Sequence, residues 1–507
     1  MKDNILEESG YFWWSDVPVP QSQFAPDTAV VGKLTIDHEG RSRLELDGVL
    51  PNKHGPMAAF SEDVPVDKGI HGILKSSNKS VRMSELHRNG GEFKSNGISY
   101  ERYLALHCLV CQGHFQETAD PPKFARLEVG MRGFEEWLRL GGITTERTES
   151  NITARYEAVE DISYPLDEGK LQVHYGIAGP YPGTRRDSEL TLTEFVVIRF
   201  LPEVSMSLEE MKNQYGMLAD LFILLTGSDY NLDWPTLSIG EDQERFRLYF
   251  VRPQSGASEP LRWHECWTNF VQLREKFGGI VSTWRKRREE LGPGIYLYLA
   301  TRRSMPLYEE HRFVMLVWGL ESLHRRRTGE LDGPHPLQEK IERIINQIAK
   351  SDDRHWLKGQ LKKLVVEPSL EQRIFESFQG LPLDLDEEQL RKFAKECADK
   401  RNDISHYGGQ RHDANYSDTV LDLHKKSEAL SYLYHVLLLR EIGIDDKILQ
   451  FDVYDAFFSP RIKLAFVNVG LLSPSVLNDP AAEAATAAVA EAGTKSEEAV
   501  KRDDTAL

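Results

Sequence analysis

In the segment KRNDISHYGG, residues 400–409, Arg401 and His406 stand five positions apart. A histidine side chain titrates near neutrality and can take or give a proton. An arginine fork can hold a phosphate and offset the charge that grows in a transition state. RNA brings its own nucleophile, the ribose 2′-hydroxyl. The pair therefore suits metal-independent transesterification of RNA, with a 2′,3′-cyclic phosphate or 3′-phosphate and a 5′-hydroxyl as product ends. One histidine cannot easily act as base and acid in the same step. Two copies of the chain facing across a two-fold axis would supply two of each residue.

The element that must carry this pair is a helix. Leu390, Phe393, Cys397 and Ile404 recur at helical spacing, and Arg401 falls on the same face. An arginine on an apolar stripe is costly unless it is paired or borders water or an interface. Five residues turn an ideal helix by roughly 140°, so His406 does not lie over Arg401 on a straight helix. The two converge if the helix ends here, as HYGG suggests, or if each faces a symmetry mate. Spacing alone is a weak signal, because Arg82/His87 and Arg102/His107 share it. Arg102/His107 leads into a strand-like run, where positions five apart face opposite sides. The bland alternative for 401/406 is a snorkelling arginine and a capping histidine.

The whole chain reads as α+β. Residues 1–205 form a β-rich domain: VVGKLTIDHEGRSRLELDGVL alternates at Leu34 and Ile36, then at Leu44 and Leu46, about a turn-rich DHEGRS. GMRGFEEWLRLGG (130–142) is a short amphipathic helix stopped by glycines. Residues 206–300 form a mixed, mainly helical connecting region. Ser207 and Glu210 open its first helix as a capping box, ERFRLYFVR (244–252) reads as a strand, and CWTNFVQLREKFGG and GIVSTWRKRREELGPG read as helices ended by glycine. Residues 301–450 form a helical bundle. Its long helix, 308–329, carries Phe313, Leu316, Val317, Leu320 and Leu323 on one stripe. Residues 475–507, rich in Ala, Glu and Thr, lack the large apolar side chains that would offset ordering and read as a disordered tail.

A net charge of −17 argues against a protein that coats nucleic acid through a broad basic face. It leaves room for an enzyme that grips a few phosphates in a small pocket. Four cysteines in 507 residues fit a reducing cytosol. No run reaches the roughly 18–20 apolar residues of a membrane span, and the first residues show no secretory signal. HCLVCQGH (107–114) gathers His107, Cys108, Cys111 and His114, but the Leu-Val spacer suits a buried strand that turns the two thiols to opposite faces, so no metal is expected. No phosphate loop, dinucleotide fingerprint, HExxH or GxSxG occurs in the expected form, and no cofactor is expected. The basic runs WRKRR (284–288) and HRRR (324–327) are either RNA-phosphate contacts, through Arg325, Arg326 and Arg327 in the second, or solvated helix faces. Glu321, beside the buried stripe, could orient His406 or pair with Arg401; it could equally be a structural carboxylate. Asp403 and Tyr407 have no assignable role.

Several segments together resemble ApeA-type abortive-infection proteins with a C-terminal HEPN ribonuclease domain. RFVMLVWGLESLHRRR is similar to the first HEPN helix, and RNDISHYGG to the family's Arg-Asn-x-x-x-His signature, carried by Arg401, Asn402 and His406 with no departure. GYFWW, VGKLTI, CQGHF and GFEEWL are similar to the accompanying N-terminal domain, and the likeness covers roughly residues 8–445. The resemblance implies a bacterial, cytoplasmic protein that cuts RNA when a phage infects, as a homodimer or higher homo-oligomer answering an unidentified phage-derived trigger. It further implies that Asn402 positions the site. The β-rich domain is then expected to sense the signal or restrain the helical part. The rival reading is a non-catalytic bundle that only dimerises or binds a nucleotide or protein partner.

Overall fold

The computed structural model describes residues 4–21, 23–51, 68–92, 94, 96–112, 122–179, 191–229, 232–240, 245–252, 262–303, 306–328, 336–364, 368–407 and 415–478. The chain divides into two compact units. One comprises 1–220 and 230–261, the other 221–229 and 262–507. The expected connecting region, 206–300, is thus shared between them.

In the first unit, β1 (Leu6–Trp14), β2 (Val30–Ile36), β3 (Ser42–Leu46), β4 (Ile70–Leu74), β5 (Ser80–Glu92) and β6 (Tyr100–Cys111) pair antiparallel in the order β6-β3-β2-β1-β4-β5, and β5 pairs back onto β6. This closes a six-stranded barrel, which leaves no edge among these strands. The alternation read from sequence is the barrel's inward face: Leu34, Ile36, Leu44 and Leu46 are buried with Phe12, Met83, Tyr103 and Cys108. The β2–β3 turn is held by Asp37, whose Oδ1 accepts from the backbone of Glu39 and Arg41, while Gly40 takes a φ of +85°.

Further strands follow in β7 (Arg126–Val129), the short helix α1 (Phe134–Leu138), a separate hairpin of β8 (Ile143–Arg147) and β9 (Ile152–Tyr156), then β10 (Ile162–Leu166), β11 (Gly169–Ala178) and β12 (Thr193–Pro202). The helix α2 (Leu208–Thr226) starts with the expected box: Ser207 and Glu210 each bond the other's backbone N–H. β13 (Thr236–Ser238) and β14 (Arg245–Phe250) complete the sheet. Strand β6 is long enough to serve two neighbours on one edge. Residues 101–105 pair with β3 and residues 107–111 with β14. From there the sheet runs β14-β13-β7-β12-β11-β10.

The second unit is helical: α3 (Phe270–Leu273), α4 (Phe277–Leu291), α5 (Pro293–Arg302), α6 (Glu309–Thr328), α7 (Pro336–Ile345), α8 (Ser351–Leu364), α9 (Leu370–Gln379), α10 (Glu387–Tyr407), α11 (Tyr416–Glu441), α12 (Asp446–Tyr454) and α13 (Ser459–Asn468). Helix α6 packs against α5, α9, α10 and α11, and its predicted stripe is fully buried. Two details differ from the sequence reading. Gly278 and Gly279 do not end a helix; they lie in the first turn of α4, where burial of Phe277, Ile280 and Val281 outweighs glycine's poor propensity. Helical structure also continues past 450 through α12 and α13, which bury Leu449, Val453, Ile462 and Phe466. The expected tail lies outside the described residues from 479 on; its first residues belong to a 3₁₀ turn, Pro474–Asn478. Among the described residues no helix is long and apolar enough to cross a membrane.

Candidate active site

Helix α10 presents Leu390, Phe393 and Cys397 to the core, and Arg401 follows on that face where the helix reaches its last two turns. The arginine is neither dry nor free. Its side chain is 20% exposed, and Nη2 donates to Glu321 Oε2 of α6 at 3.1 Å. Nη1 donates to Asn402 Oδ1, also at 3.1 Å. Nε is shielded from water and has no acceptor among the described residues, so the guanidinium keeps an unmet donor. Glu321 is divided in turn: its Oε1 accepts from Arg325 at 3.1 Å, one helical turn along α6. One carboxylate thus bridges two guanidinium groups.

His406 is exposed. Helix α10 runs to Tyr407, so it does not end between the pair. Within one chain Arg401 and His406 leave the helix about 140° apart around its axis. Of the two roles considered for Glu321, the geometry places it on Arg401.

The three arginines grouped as RNA contacts point three ways, because consecutive helical residues diverge by about 100°. Arg325 joins Glu321. Arg326 Nη1 donates to the Glu290 carbonyl at 3.2 Å, and Arg327 Nε pairs with Glu441 at 3.0 Å. Arg287, from the other basic run, reaches the same Glu441 at 3.5 Å. The two runs therefore meet across α4 and α6, partly neutralised by Glu441, and Arg325 is the member that reaches Glu321.

Sequence reasoning missed the ties that fix α10 to its neighbours. Asp422 of α11 accepts from Lys400 at 3.0 Å and also holds Lys426, which pairs with Glu396 at 3.2 Å. Burial alone would raise the Asp422 carboxyl, but its ammonium partners, Lys426 foremost, bring it below the usual range. The i,i+4 spacing of Asp422 and Lys426 was the available signal. His324, read as part of a basic run, is buried and sits 2.8 Å from Glu376 of α9. Cys397 is a fully buried thiol pushed up by that burial, hence inert.

The other sequence candidates lie in the first unit. Arg102 is exposed and pairs with Glu45, while His107 points to the opposite side of β6. His107 Nδ1 is 3.4 Å from Glu85 and Nε2 is 3.8 Å from Glu209. These three groups are close enough to share a cation. The Lys212 ammonium already stands 2.9 Å from both His107 Nε2 and Glu209. Burial, reinforced by Lys212, lowers the His107 pKa. Cys108 lies in the barrel core, and Cys111, three residues on, turns to the other face; both are buried and neither forms a disulfide. His114, the last of the considered zinc ligands, lies outside the described residues.

The helical unit's site and the β unit's barrel correspond to two known family models. Residues 314–448 match the Apea-like HEPN model, and residues 7–284 match that of ApeA N-terminal domain 1. The second match alone spans more than half of the chain, which therefore belongs to the ApeA family, here with a C-terminal HEPN domain. No curated protein and no solved structure matches it. The two domains suggest an abortive-infection nuclease family, and HEPN domains are usually ribonucleases that dimerise and bind RNA.

Proposed function

We propose that this protein is an anti-phage endoribonuclease of the bacterial cytoplasm that cuts RNA without a metal, as a homodimer, at a site built from Arg401, Asn402 and His406. The observation that carries the reading is the state of Arg401. Its fork is split between Glu321 and Asn402, one donor is unmet, and a fifth of the side chain reaches water. A guanidinium fixed by two acceptors and still open to solvent is pre-organised for a phosphodiester.

The reaction forms a bond from O2′ to phosphorus and breaks the bond from phosphorus to O5′. One imidazole removes the 2′-hydroxyl proton and a second gives a proton to the leaving 5′-oxygen. Since the two members of the pair diverge on α10, the second imidazole comes from the other copy of the chain. Arg401 neutralises charge on the pentacoordinate phosphate. Glu321 and Asn402 hold the arginine, and Arg325 shares the Glu321 anchor. The β-rich domain restrains this centre until a phage-derived component is present.

The test is expression of the wild type and of His406→Ala in cells, with sequencing of RNA ends. The wild type should be toxic and yield 2′,3′-cyclic phosphate or 3′-phosphate and 5′-hydroxyl termini, with cleavage in vitro unaffected by EDTA. Termini bearing 3′-hydroxyls, or cleavage that persists in a folded His406→Ala protein, would overturn the assignment.

A further inference from the structure

The open part of the sheet in the first unit has a face too polar for a core. Across neighbouring strands, Val81, Val110, Arg247, Thr236, Glu128 and Arg199 stand side by side in register. Cross-strand neighbours share a face. The row begins apolar, where the barrel interior ends, and becomes charged across β14, β13, β7 and β12. It floors a concavity of about 670 Å³ whose lining residues all belong to this unit. Small-molecule sites typically fall near that size.

The charges of this face are not balanced pair by pair. Glu128 is buried and well served: Arg199 Nε lies at 2.6 Å, Arg126 Nε at 3.5 Å and Arg245 Nη1 at 3.9 Å. Lys79 and Arg247 also line the cavity, yet neither makes an ion pair among the described residues. The same holds for the acids Asp233 and Glu135 elsewhere on the lining. In a chain of net charge −17, cations that face a concavity without an ion pair are open to another anion, although Lys79 also feels the Glu8 carboxylate at longer range. The walls also offer rings. Phe195 is 47% exposed and lies over Gly176, where a Cβ would come within 2.3 Å of the ring. Trp234 and Tyr249, 5.3 Å apart, back the cavity from the barrel core, with Arg252 over the Trp234 ring, so Phe195 is the accessible ring.

Cations and carboxylates without an ion pair among the described residues, and one accessible ring, in a single cavity complement a phosphate, a set of N–H or O–H donors and a planar ring. We propose that this concavity binds a nucleotide of nucleoside 5′-monophosphate size, its phosphate on Lys79 and Arg247 and its hydroxyl or amino donors on Asp233. The site shares no residue with the Arg401 centre and does not rest on the nuclease reading.

The experiment is calorimetric titration of the full chain carrying Arg401→Ala and His406→Ala, which removes the other place where a nucleotide phosphate could be held. The probes are AMP, GMP, CMP, UMP and inorganic phosphate. At least one nucleotide should saturate at one per chain, with inorganic phosphate at least tenfold weaker. Lys79→Glu with Arg247→Glu should weaken it at least tenfold while leaving thermal unfolding unchanged. Should that double variant fail to fold, Phe195→Ala, at an exposed position, serves instead and should also lower affinity. The proposal is overturned if no nucleotide saturates at millimolar concentration, if inorganic phosphate binds as tightly, or if folded variants bind like the parent.

Discussion

The same spacing, arginine and then histidine five residues later, occurs on β6 and on α10 with opposite results. On β6 the arginine is the exposed member, paired with Glu45, and the histidine is only 3% exposed beside Glu85 and Lys212. On α10 the arginine is half-buried and anchored by Glu321, and the histidine faces solvent. A strand sends the two side chains to opposite faces of a sheet, one of which is core. A helix end lets both reach a surface, about 140° apart. A proton-transfer group must meet its substrate, so of these two histidines only His406 is placed to act. What separates the pairs is which member the backbone leaves in water, and residue type and spacing alone do not contain that.

The largest effect should fall on His406. His406→Ala is expected to lower RNA cleavage by about 10²–10⁴-fold, the usual worth of a general acid or base. His107→Gln should leave it within roughly twofold, since a group that never meets the substrate contributes nothing to transition-state binding. Equal losses in single-turnover cleavage by the two variants, both folded by circular dichroism, would break the comparison. Arg401→Ala comes next, at about 10²–10³-fold, as for loss of one oxyanion-stabilising donor. Arg102→Ala, its counterpart on β6, removes only a surface ion pair, and no change in cleavage is expected.

Glu321→Gln should act more mildly and sharpen the role of Arg401. The amide keeps the shape but loses the charge that bridges Arg401 and Arg325. A drop in kcat of about tenfold, or ~1.4 kcal/mol, is expected. KM should not rise, because the site becomes more positive toward phosphate. A raised KM with unchanged kcat would mean that Glu321 contacts RNA and does not anchor the arginine.

How far the sequence reached follows from these residues. Leu34, Ile36, Leu44 and Leu46 marked strands because a half-buried strand repeats every two residues. Barrel closure was not legible, because it depends on β5 and β3 pairing with opposite edges of β6, contacts that no local pattern encodes. Arg401 and Glu321 were each visible as a charge beside an apolar stripe. Their bond joins positions 80 residues apart and needed the packing of α6 on α10 to appear. Arg325, Arg326 and Arg327 look like one cluster in a string of letters, but a helix sends them in three directions. The concavity of the first unit left no trace, since its lining is gathered from six strands and the segments between them, which only the sheet's long-range pairing brings together.

The groups that should not move cleavage at all are those that only titrate, and they set the two units against each other in stability. The folded-state pKa of His107 is lowered from 6.5, so the unfolded chain takes up the proton first as pH falls. The β unit then has full stability above pH 6.5 and loses it below. His435, fully buried in the helical unit and lowered well below 6.5, acts in the same direction. Asp452 does the reverse. Its carboxyl lies in the interior with Oδ2 unpaired among the described residues, and burial pushes it up from 3.8 to about 8. The folded state therefore keeps a proton that the unfolded chain gives up near 3.8, and the helical unit loses stability as pH rises from there toward 8. Asp452→Asn mimics the protonated acid and should remove that loss. Hydrogen exchange read separately in the two units should find the variant's helices more protected than the wild type's at pH 8 and equal to them near pH 4. The barrel should be unaffected by the substitution at either pH. Equal protection of the helices at pH 8 would show that Asp452 ionises in the folded chain with a partner or solvent access, and the contrast between the units would be lost.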